Sequence, residues 1–323
     1  MPVEIPKESW TTKVIEVTLG ATPAEGGTRG RTVTVGGEGT LPFLHYEGDI
    51  PHRPVIAVEV LDRRPDDWSP LLLEVWGEVL DGPAAWAAKG VELGADLVCL
   101  RLDSTNPDKE GRTPAEAAET VKAVLQAVDV PLIVLGPGQP EVDNDVLVAV
   151  AEATAGERLV LGLCEDKNYR TIVAAALAHK HLVVASSPID VNLAKQLNIL
   201  ISDIGLPLDR ILIDPTTGAL GYGLEYTYSV MERLRIAALT GDRMTQLPFF
   251  CTAGLESWRQ KESKVDEGVP EAWGDFNERA ISWEVATAVA LLIAGADILA
   301  LRHPETIQRV IRVIDRLMGQ KEA

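Results

Sequence analysis

The chain has 323 residues, 46% of them apolar, and a formal net charge of −18 at pH 7. It can therefore bury one large core with an appendage, and no apolar run approaches the roughly 20 residues of a membrane span. The acidic balance, without a cluster of Lys or Arg, disfavours nucleic acid and anionic membranes as partners.

Residues 1–50 differ from the rest and are predicted to form an N-terminal extension. The segments Lys13–Leu19 and Thr32–Val35 alternate between apolar and polar residues, and a Gly- and Pro-rich stretch joins them. This pattern is typical of a β-hairpin with a long loop. We expect the hairpin to cover the N-terminal mouth of the domain that follows. The start of the chain lacks the features of a secretory signal, which predicts a cytoplasmic protein.

Residues 51–323 repeat one pattern eight times, a short β-branched apolar run followed by a longer stretch of helical period. Parallel strands that are buried on both faces have nearly continuous Val, Ile and Leu runs, and helices must connect them. Eight such units predict an α/β fold of the (β/α)8 TIM barrel class. The eight runs are Val55–Val60, Asp96–Leu102, Pro131–Gly136, Arg158–Cys164, His181–Ser186, Arg210–Asp214, Leu247–Cys251 and Asp297–Leu301.

Local signals predict where two of the helices begin. Thr113-Pro114 with Glu116 indicates a capped helix start after the second run. Ser187-Pro188 is predicted to open the helix after the fifth run, which would end at Gly205.

The seventh unit carries an insertion, residues 252–276, which is much longer than the usual loop of about two to six residues. It contains many charges together with Trp258 and Trp273. We interpret it as a lid or a partner-docking segment, and we expect both tryptophans to lose solvent access when a partner binds. Disorder is the alternative interpretation.

In a barrel of this kind, functional residues lie on the loops that follow the strands. The loop after the sixth run is the most informative, because its glycines would let the backbone approach a ligand closely. A Gly-rich turn required by barrel geometry is the alternative. The candidate ligand-binding residues at these strand ends are Asp103, Ser104, Thr105, Asn106, Ser186, Ser187, Thr216, Thr217, Gly218, Ala219, Leu220, Gly221 and Tyr222.

Few residues suit catalysis. The predicted strands have no interior Lys for Schiff-base chemistry. Among the histidines only His303 follows a strand, where it is expected to cap or pack, with Arg302 lowering its proton affinity.

Strand-end carboxylates could bind a metal or act as bases, although such residues more often cap helices or form ion pairs. These carboxylates are Asp103, Glu165, Asp166 and Asp214. We therefore expect no catalytic residue and no metal site, and a polar face suited to a large ligand.

Several segments together resemble one known family. They include EGDIPHRPVIAVEVLD, GADLVCLRLDSTNPD, LCEDKNYRTIVAAALAH, VVASSPIDVNLAKQLNILI and DPTTGALGYGLEYT. The chain resembles the small subunit of the corrinoid iron–sulfur protein, a delta-type subunit of acetyl-CoA decarbonylase/synthase in the acetyl-CoA (Wood–Ljungdahl) pathway. The resemblance covers essentially the whole chain.

This resemblance implies a TIM barrel that pairs with a large subunit, with a corrinoid (cobalamin-type) cofactor held between them. It implies that a [4Fe–4S] cluster belongs to the large subunit only. A methyl group would come from methyltetrahydrofolate through a separate methyltransferase and pass to carbon monoxide dehydrogenase/acetyl-CoA synthase. The sequence agrees, because the cysteines Cys99, Cys164 and Cys251 are too dispersed for a cluster and are expected to be buried thiols.

Two other functions remain open. The first is a free-standing pterin-dependent TIM-barrel methyltransferase, because the Asp214-Pro215 run is similar to that of pterin-binding synthases. However, Gly223-Leu224-Glu225 stands where those enzymes carry a Lys. The second, a metal-dependent barrel lyase, is disfavoured because no ligand cluster is present.

Overall fold

A closed barrel of eight parallel strands forms the centre of the protein, in which each strand pairs with its neighbours along the chain and the last strand pairs with the first. The structure is a computed structural model and describes residues 5–319. It confirms the predicted (β/α)8 TIM barrel. The barrel strands are β3 (Val55–Leu61), β4 (Leu97–Arg101), β5 (Leu132–Leu135), β6 (Val160–Cys164), β7 (Leu182–Ser186), β8 (Ile211–Asp214), β9 (Phe249–Cys251) and β10 (Ala296–Leu301).

One long helix follows each barrel strand. These eight are α2 (Pro83–Glu92), α3 (Pro114–Ala127), α4 (Pro140–Ala153), α5 (Tyr169–His179), α6 (Val191–Asp203), α7 (Leu224–Leu239), α10 (Phe276–Ala294) and α11 (Pro304–Leu317). Three short helices are added, α1 (Pro70–Trp76), α8 (Ala253–Ser257) and α9 (Lys261–Lys264). Within residues 5–319, no helix has the length and apolar character to cross a membrane.

The strands are buried on both faces, which explains their continuous apolar runs. In β3, Ile56 and Val58 belong to the outer core, which lies between the barrel and the helices. Val55 and Ala57, which alternate with them, belong to the core inside the barrel. Because successive side chains of a strand point to opposite faces, every barrel strand contributes to both cores.

The N-terminal hairpin closes the N-terminal mouth of the barrel, as predicted. Strand β1 (Val17–Leu19) pairs antiparallel with β2 (Val33–Val35). The fully buried side chains of Val17 and Leu19 join the interior core beside Leu97, near the start of β4.

Arg29, in the loop of this hairpin, fastens the extension to the barrel. Its side chain is 2% exposed and donates to the carbonyls of Leu125 at 2.7 Å and Val128 at 2.6 Å, at the end of α3. These carbonyls have no partner within the helix, so the guanidinium satisfies groups that would otherwise be buried unpaired.

One of the two predicted helix starts is confirmed and the other is wrong. Thr113 and Glu116 form a reciprocal capping box at the start of α3. Helix α6, in contrast, starts at Val191 and not after Ser187-Pro188. Its cap is Asp190, whose carboxylate accepts from two first-turn amides at 2.7 and 3.0 Å. Gly205, with φ of +106°, follows the end of the helix.

Candidate functional site

The strand-end face is the surface formed by the loops that follow the carboxyl ends of the barrel strands. Charged side chains reach its centre from inside the barrel. In β3 the interior positions Val55 and Ala57 are followed two residues later by Glu59, and in β4 Cys99 is followed by Arg101. The uppermost layer of the barrel interior is therefore charged, although the layers beneath it are apolar.

Glu59 is fully buried and is paired with two arginines. Arg302 donates from Nε to Glu59 Oε2 at 2.8 Å and from Nη2 to Oε1 at 3.1 Å. Arg101 donates from Nε to Oε1 at 3.2 Å. Burial alone would raise the pKa of the Glu59 carboxyl, but the two guanidinium groups more than offset it and the pKa falls to about 2. Glu59 is therefore ionised at neutral pH.

Arg101 uses only part of its guanidinium in this network. Its Nε bonds Glu59, whereas Nη1 and Nη2 donate to no acceptor anywhere in residues 5–319. The side chain is 15% exposed, so part of it reaches the surface at the barrel mouth. An arginine fork with free nitrogens is well suited to planar oxygen acceptors.

Asp214 ends β8 and also lies in the upper layer. Its Oδ2 accepts from Ser186 Oγ at 2.9 Å, and its Oδ1 accepts from the amide of Thr216 at 2.9 Å. Burial raises the pKa of Asp214 to about 6, although the Ser186 hydroxyl, the Thr216 amide and the positive charge of Arg101 act in the opposite direction. At neutral pH this carboxylate is ionised in an enclosed position.

Two of the predicted residues after β4 lie at the edge of the face. Asp103 accepts from Arg63 Nε at 2.8 Å and from Lys109 Nζ at 2.7 Å. The side-chain oxygen of Asn106 accepts from Gln139 Nε2 at 3.0 Å. These bonds connect the loop after β4 to its neighbours and give it a defined shape.

Ser104 and Thr105 point into the protein and hold this loop from beneath. Ser104 is fully buried and donates from its amide to Asp62 Oδ1 at 2.8 Å and from its hydroxyl to Oδ2. The Thr105 hydroxyl donates to the carbonyl of Leu102 at 2.7 Å. Any contact between these two residues and a ligand would have to use the backbone.

The loops after β7 and β8 are joined to each other. The hydroxyl of Thr216, a residue with φ of +60°, donates to the carbonyl of Ser187. Thr227, from the first turn of α7, donates to the carbonyl of Thr216 at 2.8 Å and accepts from the Gly218 amide at 2.8 Å. Ser186, Ser187 and Thr216 therefore form one continuous stretch of the face.

Gly218 is required by the shape of its own loop. A Cβ atom there would lie 2.6 Å from the carbonyl carbon of Gly223 and 2.8 Å from the nitrogen of Leu224. This favours the geometric interpretation of this glycine over close approach to a ligand. Gly221, with φ of +75°, needs the left-handed conformation that glycine adopts readily.

The next residues of the loop differ in exposure. The Thr217 hydroxyl accepts from the amide of Thr252 at 3.0 Å, and Ala219 is 1% exposed. The amide of Leu220 donates to Thr287 Oγ1 at 3.2 Å. These three residues anchor the loop to the body of the barrel, and the part that projects is the turn around Tyr222.

Tyr222 connects the loop after β8 to the insertion. Its side chain is 47% exposed, and its hydroxyl donates to Glu262 Oε2 at 3.0 Å. Trp273, also in the insertion, is partly buried between Lys261 and Arg279, which lie 5.6 and 5.4 Å from its ring centre. The insertion thus has a defined fold at the rim of the face.

Trp258 is already buried within the chain, so the expectation that it loses solvent access on partner binding is wrong. It is 1% exposed, and its Nε1 donates to Glu284 Oε2 at 2.8 Å. Its ring stacks on the imidazole of His303 at 5.8 Å between centres. Trp273 remains the tryptophan of this segment that a partner could cover.

A groove of about 610 Å³ opens beside the barrel mouth, between α6 and the loops after β6, β7 and β8. Leucines of α6 form its floor, and polar side chains form its rim. Its lining residues are Glu165, Asp166, Lys167, Ser186, Ser187, Pro188, Leu193, Gln196, Leu197, Leu200 and Thr216. Three of the predicted residues therefore border an amphipathic depression.

Among residues 5–319, no group of three or more His, Cys, Asp or Glu side chains is placed to hold a metal ion. His303 caps α11 and accepts from the Glu305 amide at 3.1 Å, as predicted. Burial lowers its pKa to about 4, and Arg309 contributes. The expected effect of Arg302 is wrong, because that guanidinium turns towards Glu59. Cys99, Cys164 and Cys251 are free and buried, as expected.

The sequence analysis missed the buried charges Glu59 and Arg101. A signal was present, because each is an ionisable residue inside an apolar strand and lies two positions beyond an interior apolar residue. The alternation of side chains therefore places both inside the barrel.

Comparison with solved structures assigns the fold class. A dihydropteroate synthase from Xanthomonas albilineans, in complex with 7,8-dihydropteroate, superposes with a TM-score of 0.56 and 18% sequence identity, over 83% of this chain and 95% of that chain. The enzyme from Thermus thermophilus gives a TM-score of 0.55 at 16% identity, over 86% and 100%. At these identities the likeness shows a shared TIM barrel.

Sequence comparison identifies the family. The model of the CO dehydrogenase/acetyl-CoA synthase delta subunit family matches residues 16–315. Delta 1 of the acetyl-CoA decarbonylase/synthase complex from Methanosarcina thermophila is 40% identical over 97% of this chain and 73% of that protein. The Archaeoglobus fulgidus delta subunit is 41% identical over 97% and 70%. This chain belongs to the CO dehydrogenase/acetyl-CoA synthase delta subunit family.

Proposed function

We propose that this chain is the small subunit of a heterodimeric corrinoid methyl carrier, and that its strand-end face holds one side of the corrinoid against a large subunit. The observation that carries the proposal is the family match over residues 16–315. The face itself supports it, because it combines hydroxyl groups, a free arginine fork and an adjacent amphipathic groove.

The residues present fit a corrinoid held by its edge. The rim of a corrin ring carries carboxamide side chains, which both donate and accept hydrogen bonds. Ser187, Thr216 and Arg101 offer matching groups around the barrel mouth. His303 is the histidine that directly follows a barrel strand. It is 4% exposed, and because its Nδ1 accepts from the Glu305 amide, the proton of the neutral ring lies on Nε2, so we assign it no role as a cobalt ligand. When bound, the corrinoid supplies the cobalt centre that carries the methyl group.

The partners of this subunit follow from the same proposal. A large corrinoid iron–sulfur subunit would complete the cofactor site and contain the [4Fe–4S] cluster. A methyltransferase would supply the methyl group from methyltetrahydrofolate, and carbon monoxide dehydrogenase/acetyl-CoA synthase would receive it. The placement of the cluster on the partner is supported by the isolated burial of Cys99, Cys164 and Cys251 in this chain.

The test is co-expression of this chain with the large subunit, followed by a visible absorption spectrum and cobalt analysis of the purified complex. We expect one corrinoid per heterodimer. The chain purified alone should be soluble and bind hydroxocobalamin poorly, because half of the pocket belongs to the partner.

Tight stoichiometric binding of hydroxocobalamin by the isolated chain would contradict the shared pocket. A colourless heterodimer that cannot be reconstituted with hydroxocobalamin would contradict the carrier function. Fluorescence of a co-purified pterin would instead support the alternative, a pterin-dependent methyltransferase.

A further inference from the structure

Two incompletely satisfied hydrogen-bonding groups lie on opposite walls of the barrel mouth. Arg101 ends β4 and Asp214 ends β8, and these two strands are four positions apart in the closed ring of eight. They are therefore half the barrel circumference apart and both lie in its uppermost interior layer. They are near enough for the charge of Arg101 to act on the pKa of Asp214.

On the first wall, Arg101 has donors to spare. Its Nε is held by Glu59, which fixes the direction of the guanidinium, whereas Nη1 and Nη2 are unpaired across the described chain. A partner that covers the face would remove water from these nitrogens. Leaving a buried charged donor without an acceptor is costly, so the covering group should bring an oxygen acceptor.

On the opposite wall, Asp214 has acceptor capacity to spare. Each of its carboxylate oxygens accepts a single hydrogen bond, one from Ser186 and one from Thr216. A carboxylate offers about four lone-pair sites, so both oxygens can accept another donor.

Charges of both signs surround the opening. The carboxyl groups of Glu59, Asp214 and Glu256, the last with a pKa raised by burial, lie near the guanidinium groups of Arg101 and Arg302. An anionic ligand would be repelled by the carboxylates and a cationic ligand by the guanidinium groups, so a neutral group that carries both a donor and an acceptor is favoured. Only 15% of the Arg101 side chain and 4% of Asp214 are exposed, so a ligand group that reaches both has to be small.

We propose that Arg101 and Asp214 form a carboxamide pocket, in which Arg101 donates to the carbonyl oxygen and Asp214 accepts from the NH2 group of a single primary amide. This rests on the proposed function, because the amide would be one of those on the rim of the corrin ring. The pocket would position the ring over the barrel axis without a bond to cobalt. Both residues are positioning residues in this role.

The test measures corrinoid affinity of the reconstituted heterodimer by equilibrium dialysis with two probes. Diaquacobinamide carries the amides, and the heptamethyl ester of diaquacobyrinic acid retains each carbonyl but has no amide N–H. Arg101→Lys should weaken binding of both probes, and Asp214→Asn should weaken binding of diaquacobinamide alone. Each loss is expected to be about tenfold, the equivalent of one hydrogen bond to a charged group.

Asp297→Asn is the matched control. Asp297 is also buried and paired with an arginine, Arg235, but it lies at the other end of the barrel. Its affinity for both probes should equal that of the wild type.

Unchanged affinities in the Arg101 and Asp214 variants would overturn the carboxamide pocket and leave the carrier function intact. An equal loss of both probes in Asp214→Asn would also overturn it, because a structural role does not distinguish an amide from an ester. If the wild-type heterodimer binds neither probe, the proposed function fails, and the pocket fails with it.

Discussion

At the scale of single residues, the buried carboxylate of Glu284 connects three segments at the edge of the strand-end face through hydrogen bonds. It accepts from Trp258 Nε1 at 2.8 Å and from the amides of Arg302 at 2.6 Å and His303 at 3.2 Å. One side chain thus joins the insertion, the end of β10 and the start of α11. Because Glu284 is fully buried, the loss of any of these donors is not compensated by water.

Substitution of the two tryptophans in the insertion should have different effects. Trp258→Phe removes a donor to a buried carboxylate and should lower the free energy of unfolding by about 2 kcal/mol. Trp273→Phe, at a partly exposed position with cation–π contacts alone, should cost less than about 1 kcal/mol. Urea denaturation of both variants checks this, and equal effects would show that the Trp258 bond to Glu284 contributes little.

The buried His181 should make stability depend on pH. Its Nδ1 accepts from the Leu159 amide, its Nε2 lies 3.0 Å from the Ala151 carbonyl, and burial lowers its pKa to about 4 from 6.5. The unfolded chain therefore takes up a proton more readily than the folded one, and stability falls as pH drops from about 6.5 towards 4. At pH 5 the loss should be about 2 kcal/mol.

The measurement compares urea denaturation at pH 7.5 and pH 5 for the wild type and His181→Gln. The variant should be less stable at pH 7.5, because the ring contacts are lost, yet show a smaller decrease on acidification. His45→Gln, at an exposed position that does not act on the pKa of His181, is the control and should retain the wild-type dependence. A His181→Gln variant with the full wild-type decrease would assign the effect to other groups.

At the scale of elements, the sequence predicted the barrel well because each strand is buried on two faces and leaves an unbroken apolar run. The same property explains why Glu59 in β3 and Arg101 in β4 were not predicted as site residues. Each run was assessed only by its apolar character, so a single charged residue within it was not considered. The start of α6 was misplaced because Ser187 and Asp190 both resemble caps. Which of the two can reach the first-turn amides depends on the path of the loop, which is a tertiary property.

The hairpin is the element that closes the barrel, and its core contacts should be energetically important. Leu19→Ala removes a fully buried side chain from the interior core and should cost about 3 kcal/mol. Ile5→Ala, at a side chain that is 65% exposed, is the control and should change stability by less than about 0.5 kcal/mol. Thermal and urea denaturation of both variants measure the difference. If Leu19→Ala is as stable as the control, the hairpin does not contribute to the stability of the barrel core.

At the scale of the whole molecule, the barrel has two unlike ends. The hairpin fills one end with apolar side chains, whereas the strand-end face at the other presents charges, hydroxyl groups and a groove. The arrangement matches the general rule that barrels of this type bind ligands beyond the carboxyl ends of their strands. Partner binding should therefore be confined to one end.

Hydrogen exchange measured before and after formation of the heterodimer tests which end of the barrel the partner binds. The loops at residues 103–106, 186–188 and 216–222 should exchange more slowly in the complex than in the free chain, whereas the hairpin at residues 17–35 should be unchanged. The chain has seven tryptophans, so the signal of Trp273 is the difference in fluorescence change between the wild type and Trp273→Phe, and it should report the same event if the insertion contacts the partner. If the hairpin is protected in the complex and the strand-end loops are not, the partner binds the hairpin end and this prediction is wrong.

The hairpin end of the barrel is also a suitable place to immobilise the protein for binding measurements. Helices run opposite to the strands, so the last residues of α7 and α11 lie on the hairpin side. The amide of Thr11 bonds the carbonyl of Leu239 at 3.0 Å, and His45 lies 2.8 Å from the carbonyl of Leu317. A biotin attached to an engineered cysteine on this side would orient every molecule on a sensor chip alike, with the strand-end face towards the flowing analyte.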